Sequence, residues 1–310
     1  MDLEQLKENS PLPSACTFDQ NESGLWRAQI ATRSCTAEIY LQGAHLTRWQ
    51  PKDHEAVLFV SERSSYTEGK AIRGGVPIIF PWFGPRRPNA LDQRSDGPSH
   101  GFARTSLWQI ESCTQVGDDF ELTFSLGPNQ NSIALGYDNF LVTYKIKLGS
   151  ELTMQLTVQN LADGPMFFEE ALHTYLRVAD ASQIGIDGLA HCPYLDKTDN
   201  MSGKIQSEST LKLTAETDRP YLNTAAAVEL NDPLLKRQIK VSKSNSLTTV
   251  IWNPWKELTA KLADMNGDDW QHMTCIETAN ALDDAITLGP GESHTMLATI
   301  SVKNQENTHA

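Results

Sequence analysis

Apolar and polar residues alternate with a period of two along much of the chain, which predicts half-buried β-strands. From Phe140 to Leu148 every second residue is apolar, and residues 152–158 repeat the pattern after a break at Gly149-Ser150. This spacing predicts a β-hairpin closed by a two-residue turn. Three further stretches alternate in the same way: Leu122/Phe124/Leu126, Ile239/Val241 and Met296/Ala298/Ile300/Val302.

Helical periodicity is scarce by comparison, and two short segments fit it. Residues 232–237 predict a short helix, because Asp232 is a favourable N-cap and Pro233 suits the first turn. Residues 268–272 predict a second one. The chain is therefore expected to be mainly antiparallel β, from about residue 34 to residue 302, as a large sandwich or a barrel.

Nothing in the sequence divides this predicted core. No linker rich in Pro, Gly or Ser interrupts the strand rhythm, and residues 84–99 predict a long polar loop. We therefore predict one domain over residues 1–310, with a core at about 34–303 and short N- and C-terminal tails.

Composition and charge narrow the functional classes. The chain is 39% hydrophobic with seven Trp, ten Phe and seven Tyr, which excludes a wholly disordered protein. Its 39 acidic and 26 basic residues give a net charge of −13, a field that would repel nucleic acid. No apolar run approaches the roughly 20 residues of a membrane-spanning helix, and the start lacks a signal-peptide pattern. Because the five cysteines are scattered without a CxxC pair, we expect a cytoplasmic protein with reduced thiols. No strand pattern marks an interface, so a monomer is expected.

Two segments combine arginine with glycine in apolar surroundings. Arg73 precedes Gly74-Gly75, where glycine permits backbone shapes that bring the chain close to a ligand. A glycine bulge beside a solvated arginine explains this pattern equally well. His100 and Arg104 flank an apolar pair and fit the rim of a pocket, although a loop histidine is more often simply a partly exposed polar residue.

Three ionisable residues interrupt apolar stretches further along the chain. His173 has a side chain suited to proton transfer near neutral pH, but a buried histidine with structural hydrogen bonds fits as well. A carboxylate at Glu277, near the core of a strand, would have a shifted pKa and invites a general-base role. Asp218 is a further candidate, whose alternative role is a turn or a cap.

The spacing of potential ligands predicts neither a metal nor an organic cofactor. Walker and GxGxxG motifs are absent, as is the GxSxG elbow of serine hydrolases. Five further histidines lack HxH or HExxH spacing and form no Cys/His cluster in sequence: His45, His54, His191, His272 and His294.

Six motifs occur in the order and spacing of a known family: AIRGGVPIIFPWFG, PSHGFARTSLW, ALHTYLRV, TDRPYLN, WNPW and CIETA. In these motifs the chain resembles the bacterial glucose-6-phosphate 1-epimerases, or hexose-6-phosphate mutarotases, of the aldose 1-epimerase superfamily. The resemblance extends from about Gly43 to the last predicted strand. It implies a galactose-mutarotase-like antiparallel β-sandwich (a supersandwich) with few short helices, a cleft on one sheet as the active site, and no cofactor.

The resemblance also implies roles for individual residues. The family's catalytic histidine falls on His173, as the acid, and its catalytic carboxylate falls on Glu277, as the base. Ser99 stands where some members have a glutamine that contacts the substrate. The other substrate-binding positions fall on Arg73, His100, Arg104 and Asp218.

The expected partner is a small molecule, a hexose 6-phosphate, whose phosphate Arg73 and Arg104 would bind. Three arginines of the polar loop, where the family is less regular, are weaker phosphate candidates: Arg86, Arg87 and Arg94. Two other functions stay open at this point. A non-catalytic carbohydrate-binding protein would lack one member of the acid–base pair, and a mutarotase of unphosphorylated aldoses would lack the arginines.

Overall fold

The computed structural model describes residues 13–305, and strands follow one another along them with few interruptions. The two α-helices of this part are α1 (Gln130–Ala134) and α2 (Trp255–Thr259), and short 3₁₀ turns lie at Ala103–Thr105, Lys197–Asp199, Asp269–Gln271 and Leu282–Asp284. The strands are β1 (Cys16–Gln20), β2 (Trp26–Ala31), β3 (Cys35–Tyr40), β4 (His45–Pro51), β5 (Ile78–Ile79), β6 (Gln109–Val116), β7 (Asp119–Leu126), β8 (Phe140–Leu148), β9 (Leu152–Asn160), β10 (Met166–Phe168), β11 (Glu170–Leu172), β12 (Tyr175–Arg177), β13 (Gly185–Asp187), β14 (Pro193–Asp196), β15 (Ser202–Ile205), β16 (Thr210–Leu211), β17 (Thr217–Tyr221), β18 (Val228–Asp232), β19 (Arg237–Ser244), β20 (Thr248–Asn253), β21 (Met273–Asn280), β22 (Ile286–Leu288) and β23 (Ser293–Asn304).

These strands form large antiparallel sheets, as the alternation predicted. One sheet has nine strands in the order β16-β13-β18-β19-β23-β9-β8-β7-β6. A second has eight strands in the order β15-β14-β17-β20-β21-β11-β5, with β12 also pairing to β21. Strands β1 to β4 form a four-stranded sheet, and β10 pairs with β22. The predicted mainly antiparallel β class is confirmed.

One hydrophobic core joins the two large sheets. Side chains of the nine-stranded sheet, such as Leu156 and Ile300, share a buried cluster with Ile251 and Ile276 of the eight-stranded sheet. Because successive side chains of a strand point to opposite faces, the neighbours of Ile251 and Ile276 point away from this core. The outer face of the eight-stranded sheet is therefore where polar residues are free to serve another purpose.

Several local predictions need correction. The β8–β9 hairpin pairs Leu148 with Leu152, so its loop has three residues and not two. The helix predicted at residues 232–237 is wrong, because β18 ends at Asp232 and β19 begins at Arg237. Asp232 does accept hydrogen bonds from the backbone N–H groups of Leu234 and Leu235 at 3.1 and 3.0 Å, as an N-cap would. The chain instead makes a tight turn there, because β18 before it and β19 after it pair with each other as antiparallel strands.

Other boundaries also differ from the sequence-based expectation. The second predicted helix is a single 3₁₀ turn, Asp269–Gln271, and neither α1 nor α2 was predicted. Strands β1 and β2 precede the predicted start of the core at residue 34. The outer ends of the predicted tails lie outside the described residues. In the part that the structure describes, no helix is long and apolar enough to cross a membrane.

A buried acid–histidine contact links the two large sheets away from the outer face. Glu170 on β11 is fully buried, and its Oε1 accepts a hydrogen bond from Asn280 Nδ2 at 2.9 Å. The same oxygen lies 3.2 Å from Nε2 of His294 on β23. Burial raises the pKa of the Glu170 carboxyl, and the contact with Glu170 raises the pKa of His294. Protonated His294 is thus favoured by the fold.

This contact predicts a pH-dependent contribution to stability. Because the folded pKa of His294 is raised, the contribution is fully present below the unfolded pKa of about 6.5 and is lost as the pH rises through the folded pKa. We expect the melting temperature of the wild type to exceed that of His294→Gln by more at pH 6 than at pH 9. Thermal unfolding followed at both pH values measures this, and a constant difference would contradict it.

Candidate functional site

Polar and aromatic side chains form a row across the outer face of the eight-stranded sheet. Asp218 on β17 pairs with Trp252 on β20, which pairs in turn with Cys275 on β21. Cys275 also pairs with Tyr175 on β12. Directly paired residues share a face of a sheet, and Glu277, two residues after Cys275, shares it too. Five side chains from four strands therefore converge on one area.

His173 completes this area from the short connection between β11 and β12. Its Nε2 lies 3.3 Å from Glu277 Oε1, and the two side chains are only 9% and 1% exposed. The imidazole stacks on the Tyr175 ring at 4.9 Å and meets the edge of Trp252 at 6.0 Å between centroids. The structure thus brings together the histidine and the carboxylate that the sequence singled out, and two aromatic rings fix the histidine's orientation.

Burial controls the protonation of this pair. It raises the pKa of Glu277 well above its ordinary value and lowers the pKa of His173 well below its ordinary value. The positive charges of Arg104 and Arg73 lower the pKa of His173 further. A carboxylic acid beside a neutral imidazole is therefore the favoured form of the free protein, and it carries the same single proton as a carboxylate beside an imidazolium. Glu277 Oε2 and His173 Nδ1 have no hydrogen-bond partner among the described residues.

Arg73 reaches the same area from the loop before β5. Its Nε lies 3.0 Å from Asp264 Oδ2, and its Nη1 donates a hydrogen bond to the Tyr175 hydroxyl at 3.1 Å. The second glycine after it, Gly75, has a positive φ of 64°, and a Cβ there would lie 2.2 Å from the carbonyl oxygen of Leu46. The glycine is needed for close packing against the protein's own backbone, whereas the sequence suggested an approach to a ligand.

Arg104 adds a second positive charge. It belongs to the 3₁₀ turn Ala103–Thr105, and its Nη2 donates to the backbone carbonyl oxygen of Ser99 at 2.8 Å. Burial lowers the pKa of Arg104, and nearby Arg73 lowers it further. Within residues 13–305 Arg104 has no acidic group at salt-bridge distance. Two neighbouring guanidiniums with Asp264 as counter-charge leave an excess of positive charge that favours an anion.

His100 faces His173 with a ring separation of 5.5 Å and packs its other side on Phe83 at 5.0 Å. The Gly84 N–H donates to His100 Nδ1 at 3.2 Å, which leaves the proton of a neutral ring on Nε2. Burial lowers the pKa of His100 to about 3, so the neutral form prevails. His100 therefore offers an N–H donor beside the acid–base pair. Ser99, just before it, is exposed, and its carbonyl oxygen is the atom that holds Arg104.

Asp218 is held by a lysine that the sequence gave no reason to select. Its Oδ2 lies 2.7 Å from Lys197 Nζ, and the ammonium group also lies 5.6 Å from the Phe83 ring. Burial raises the pKa of Asp218, and Lys197 acts in the opposite direction. Asp218 is thus a partly exposed hydrogen-bond acceptor at the edge of the site.

The three loop arginines already have acidic partners. Arg86 forms an ion pair with Asp92, and Arg94 Nε lies 2.9 Å from the same carboxylate. Arg87 Nη2 lies 2.6 Å from Glu169 Oε1. These charges are compensated within the loop and its surroundings, whereas Arg73 and Arg104 together have Asp264 alone as an acidic partner among the described residues.

Several residues of the site escaped the sequence-based selection, among them Tyr175, Cys275 and Lys197. Cys275 lies two positions before Glu277 on the same face of β21, and Tyr175 lies two positions after His173, which belongs to no strand. Lys197 carried no signal, because its position depends on how β14 lies beside β17. One side-chain donor atom each from His173, Cys275 and Glu277 lies within 4.8 Å of the others, a grouping suited to a metal ion. Ligand spacing could not reveal it, because the histidine is about a hundred residues from the other two.

Comparisons with known proteins show which family and which fold this chain shares. The family described as aldose 1-epimerase matches residues 27–301. An Escherichia coli (strain K12) protein named "Putative glucose-6-phosphate 1-epimerase" is 33% identical over 245 residues, which cover 79% of this chain and 80% of that protein. The crystal structure of YeaD from Salmonella typhimurium, titled a putative mutarotase, superposes with a TM-score of 0.87 at 28% identity over 96% of each chain. A galactose mutarotase-like protein from Clostridium acetobutylicum shares the fold, with a TM-score of 0.70 at 14% identity over 94% of this chain and 98% of that one.

Proposed function

The chain belongs to the aldose 1-epimerase family, whose reaction interconverts sugar anomers, and we propose that its substrate is a hexose 6-phosphate, glucose 6-phosphate first among them. The observation that carries this proposal is the buried pair of Glu277 and His173, 3.3 Å apart, beside two arginines. The pair is the evidence for acid–base catalysis, and the two arginines are the evidence for a phosphorylated substrate.

The reaction needs one proton removed from the C1 hydroxyl and one delivered to the ring oxygen. Glu277 accepts the proton of O1 while His173 donates a proton to the ring oxygen, and the bond between C1 and that oxygen breaks. Rotation about C1–C2 then exposes the other face of the aldehyde. In ring closure Glu277 gives its proton to O1 and His173 takes back the proton of the ring oxygen, so the enzyme ends in the state in which it began.

Substrate binding itself would prepare the pair for this chemistry. In the free protein the charges of Arg73 and Arg104 contribute to the low pKa of His173. A phosphate bound to those guanidiniums offsets their charge and so raises the pKa of His173. The shared proton then moves toward the imidazole, which yields the carboxylate base and the imidazolium acid. Phosphate binding energy is in this way used at the reacting end of the sugar.

Two neighbouring residues would orient the sugar. The Nε2–H of His100 is a donor for a sugar oxygen or for the negative charge that develops on it. The carboxylate of Asp218 is an acceptor for a hydroxyl, with Lys197 holding it in position. Neither residue needs to exchange a proton with the substrate. The side chain of Ser99 is exposed, and we assign to its carbonyl oxygen the role of holding Arg104.

Magnetisation exchange between the H1 resonances of the two glucose 6-phosphate anomers, measured by NMR at equilibrium, tests the proposal directly. We expect a catalytic amount of the protein to accelerate this exchange well above the buffer rate. Exchange of glucose anomers, which lack the phosphate, should be accelerated far less. Equal acceleration of both would favour an epimerase of unphosphorylated aldoses, and binding without acceleration would favour a carbohydrate-binding protein.

A further inference from the structure

Cys275 is a third ligand-type side chain beside the acid–base pair, and the proposed reaction gives it no role. It is a free, fully buried cysteine two residues before Glu277 and on the same face of β21. One donor atom each from His173, Cys275 and Glu277 lies within 4.8 Å of the others. Nitrogen, sulfur and oxygen donors from two segments of the chain thus converge on one point.

The separations approach those of a tetrahedral zinc site. With bonds of about 2.1 Å to N and O and about 2.3 Å to S, tetrahedral donors lie roughly 3.4–3.6 Å apart. The distance from His173 Nε2 to Glu277 Oε1 is 3.3 Å, already in this range. The Cys275 sulfur lies within 4.8 Å of the other two donor atoms, which is at most about an ångström more than the tetrahedral separation. Rotation of a side chain can remove this difference.

The donors are also available. Glu277 Oε2 and His173 Nδ1 are buried and lack hydrogen-bond partners among the described residues, so neither side chain is fully committed to the fold. The charge of Arg73 is offset by Asp264 at 3.0 Å, whereas Arg104 opposes a cation at this point, so the thiolate and the carboxylate must supply the compensating negative charge. A site of one imidazole, one thiolate and one carboxylate suits zinc and disfavours magnesium or calcium, which prefer oxygen ligands alone.

We propose that His173, Cys275 and Glu277 bind a Zn²⁺ ion in the sugar-free protein, with water in the fourth position, and that this ion inhibits the enzyme. Binding displaces two protons to solvent, the thiol proton of Cys275 and the single proton shared by Glu277 and His173. The ion then occupies lone pairs of both groups that must exchange protons with the sugar. The metal site stands on its own geometry, whereas the inhibition rests on the proposed function.

Cobalt(II) provides a readout of the site that does not depend on activity. Titration of Co²⁺ into the reduced protein is expected to give one saturable equivalent with tetrahedral d–d absorption and a thiolate-to-cobalt charge-transfer band. Zn²⁺ should displace it, and Mg²⁺ should not. Cys275→Ser should abolish the charge-transfer band, while Cys192→Ser, a matched change at a cysteine hydrogen-bonded to Thr224 instead, should retain it.

The inhibition is tested on the same proteins. Zn²⁺ should slow anomer exchange, and glucose 6-phosphate should compete with Co²⁺ for the protein. Loss of an outer partner of a metal ligand already costs about 10–100-fold in metal affinity, so Cys275→Ser should raise the half-inhibitory zinc concentration at least about tenfold relative to its own zinc-free rate. Cys275→Ala, with its folding checked by melting, should behave in the same way.

Three results would overturn the proposal. The wild type could bind no Co²⁺ at millimolar concentration, Cys275→Ser could retain the charge-transfer band, or glucose 6-phosphate could leave the cobalt spectrum unchanged although the protein accelerates its anomer exchange. If the protein binds Co²⁺ as expected but accelerates no anomer exchange, the metal site stands and the proposed function fails.

Discussion

Replacing His173 with Asn, or Glu277 with Gln, is expected to lower turnover of glucose 6-phosphate at least about a hundredfold, the usual contribution of a positioned proton-transfer group. Both changes keep a polar side chain, and Glu277→Gln also keeps its size, but each removes the ability to exchange a proton at the required atom. The affinity for the sugar phosphate should change much less, because the arginines remain. Anomer exchange measured by NMR gives turnover, and calorimetry with the same sugar gives affinity.

The second buried acid–histidine contact provides a matched control. His294 lies 3.2 Å from Glu170, much as His173 lies 3.3 Å from Glu277, but it joins strands away from the site. His294→Gln should therefore keep its turnover. Because the two members of the pair act as a unit, the double variant of His173 and Glu277 should be little slower than either single variant. Near-wild-type turnover of either single variant would show that its role is assigned wrongly.

The alternation of apolar and polar residues was enough to predict the mainly antiparallel β class, because strands with one buried face leave this pattern in the sequence. Residues such as Phe140 and Leu156 lie where the period of two puts them, in the core between the large sheets. The helix predicted at residues 232–237 failed for a physical reason. A capping aspartate followed by proline also suits a tight reversal, and only the pairing of β18 with β19 decides between the two.

The site was predictable only where a residue conflicted with its local pattern. His173 and Glu277 were noticed because an ionisable group in an apolar stretch needs an explanation, and the structure brings them together. Cys275 and Tyr175 fit their patterns as ordinary apolar residues and so gave no warning. Lys197 depends on a contact between strands that are distant in sequence, and such contacts leave no trace in local spacing.

The arginines are expected to separate phosphate recognition from general sugar binding. A charge-assisted contact between guanidinium and phosphate contributes on the order of 1.5–3 kcal/mol. Arg73→Ala or Arg104→Ala should therefore raise the KM for glucose 6-phosphate roughly ten- to a hundredfold, since each 1.4 kcal/mol is a factor of about ten. Any slow activity on glucose should fall far less, because that sugar never makes the contact. Lys in place of Arg should recover part of the loss, since an ammonium keeps the charge but not the forked geometry.

Arg104 gives the cleaner of the two tests. Arg73 holds Asp264 and Tyr175, so its removal also disturbs neighbours of the site. Arg104 forms no salt bridge within the described residues, and its removal frees only the carbonyl oxygen of Ser99. Arg94→Ala, which removes a loop arginine bound to Asp92, should leave both substrates unaffected and serves as the control. Equal losses on glucose and glucose 6-phosphate in Arg104→Ala would mean that this arginine holds the sugar ring or the fold, and a general aldose epimerase would then replace the phosphate-specific one.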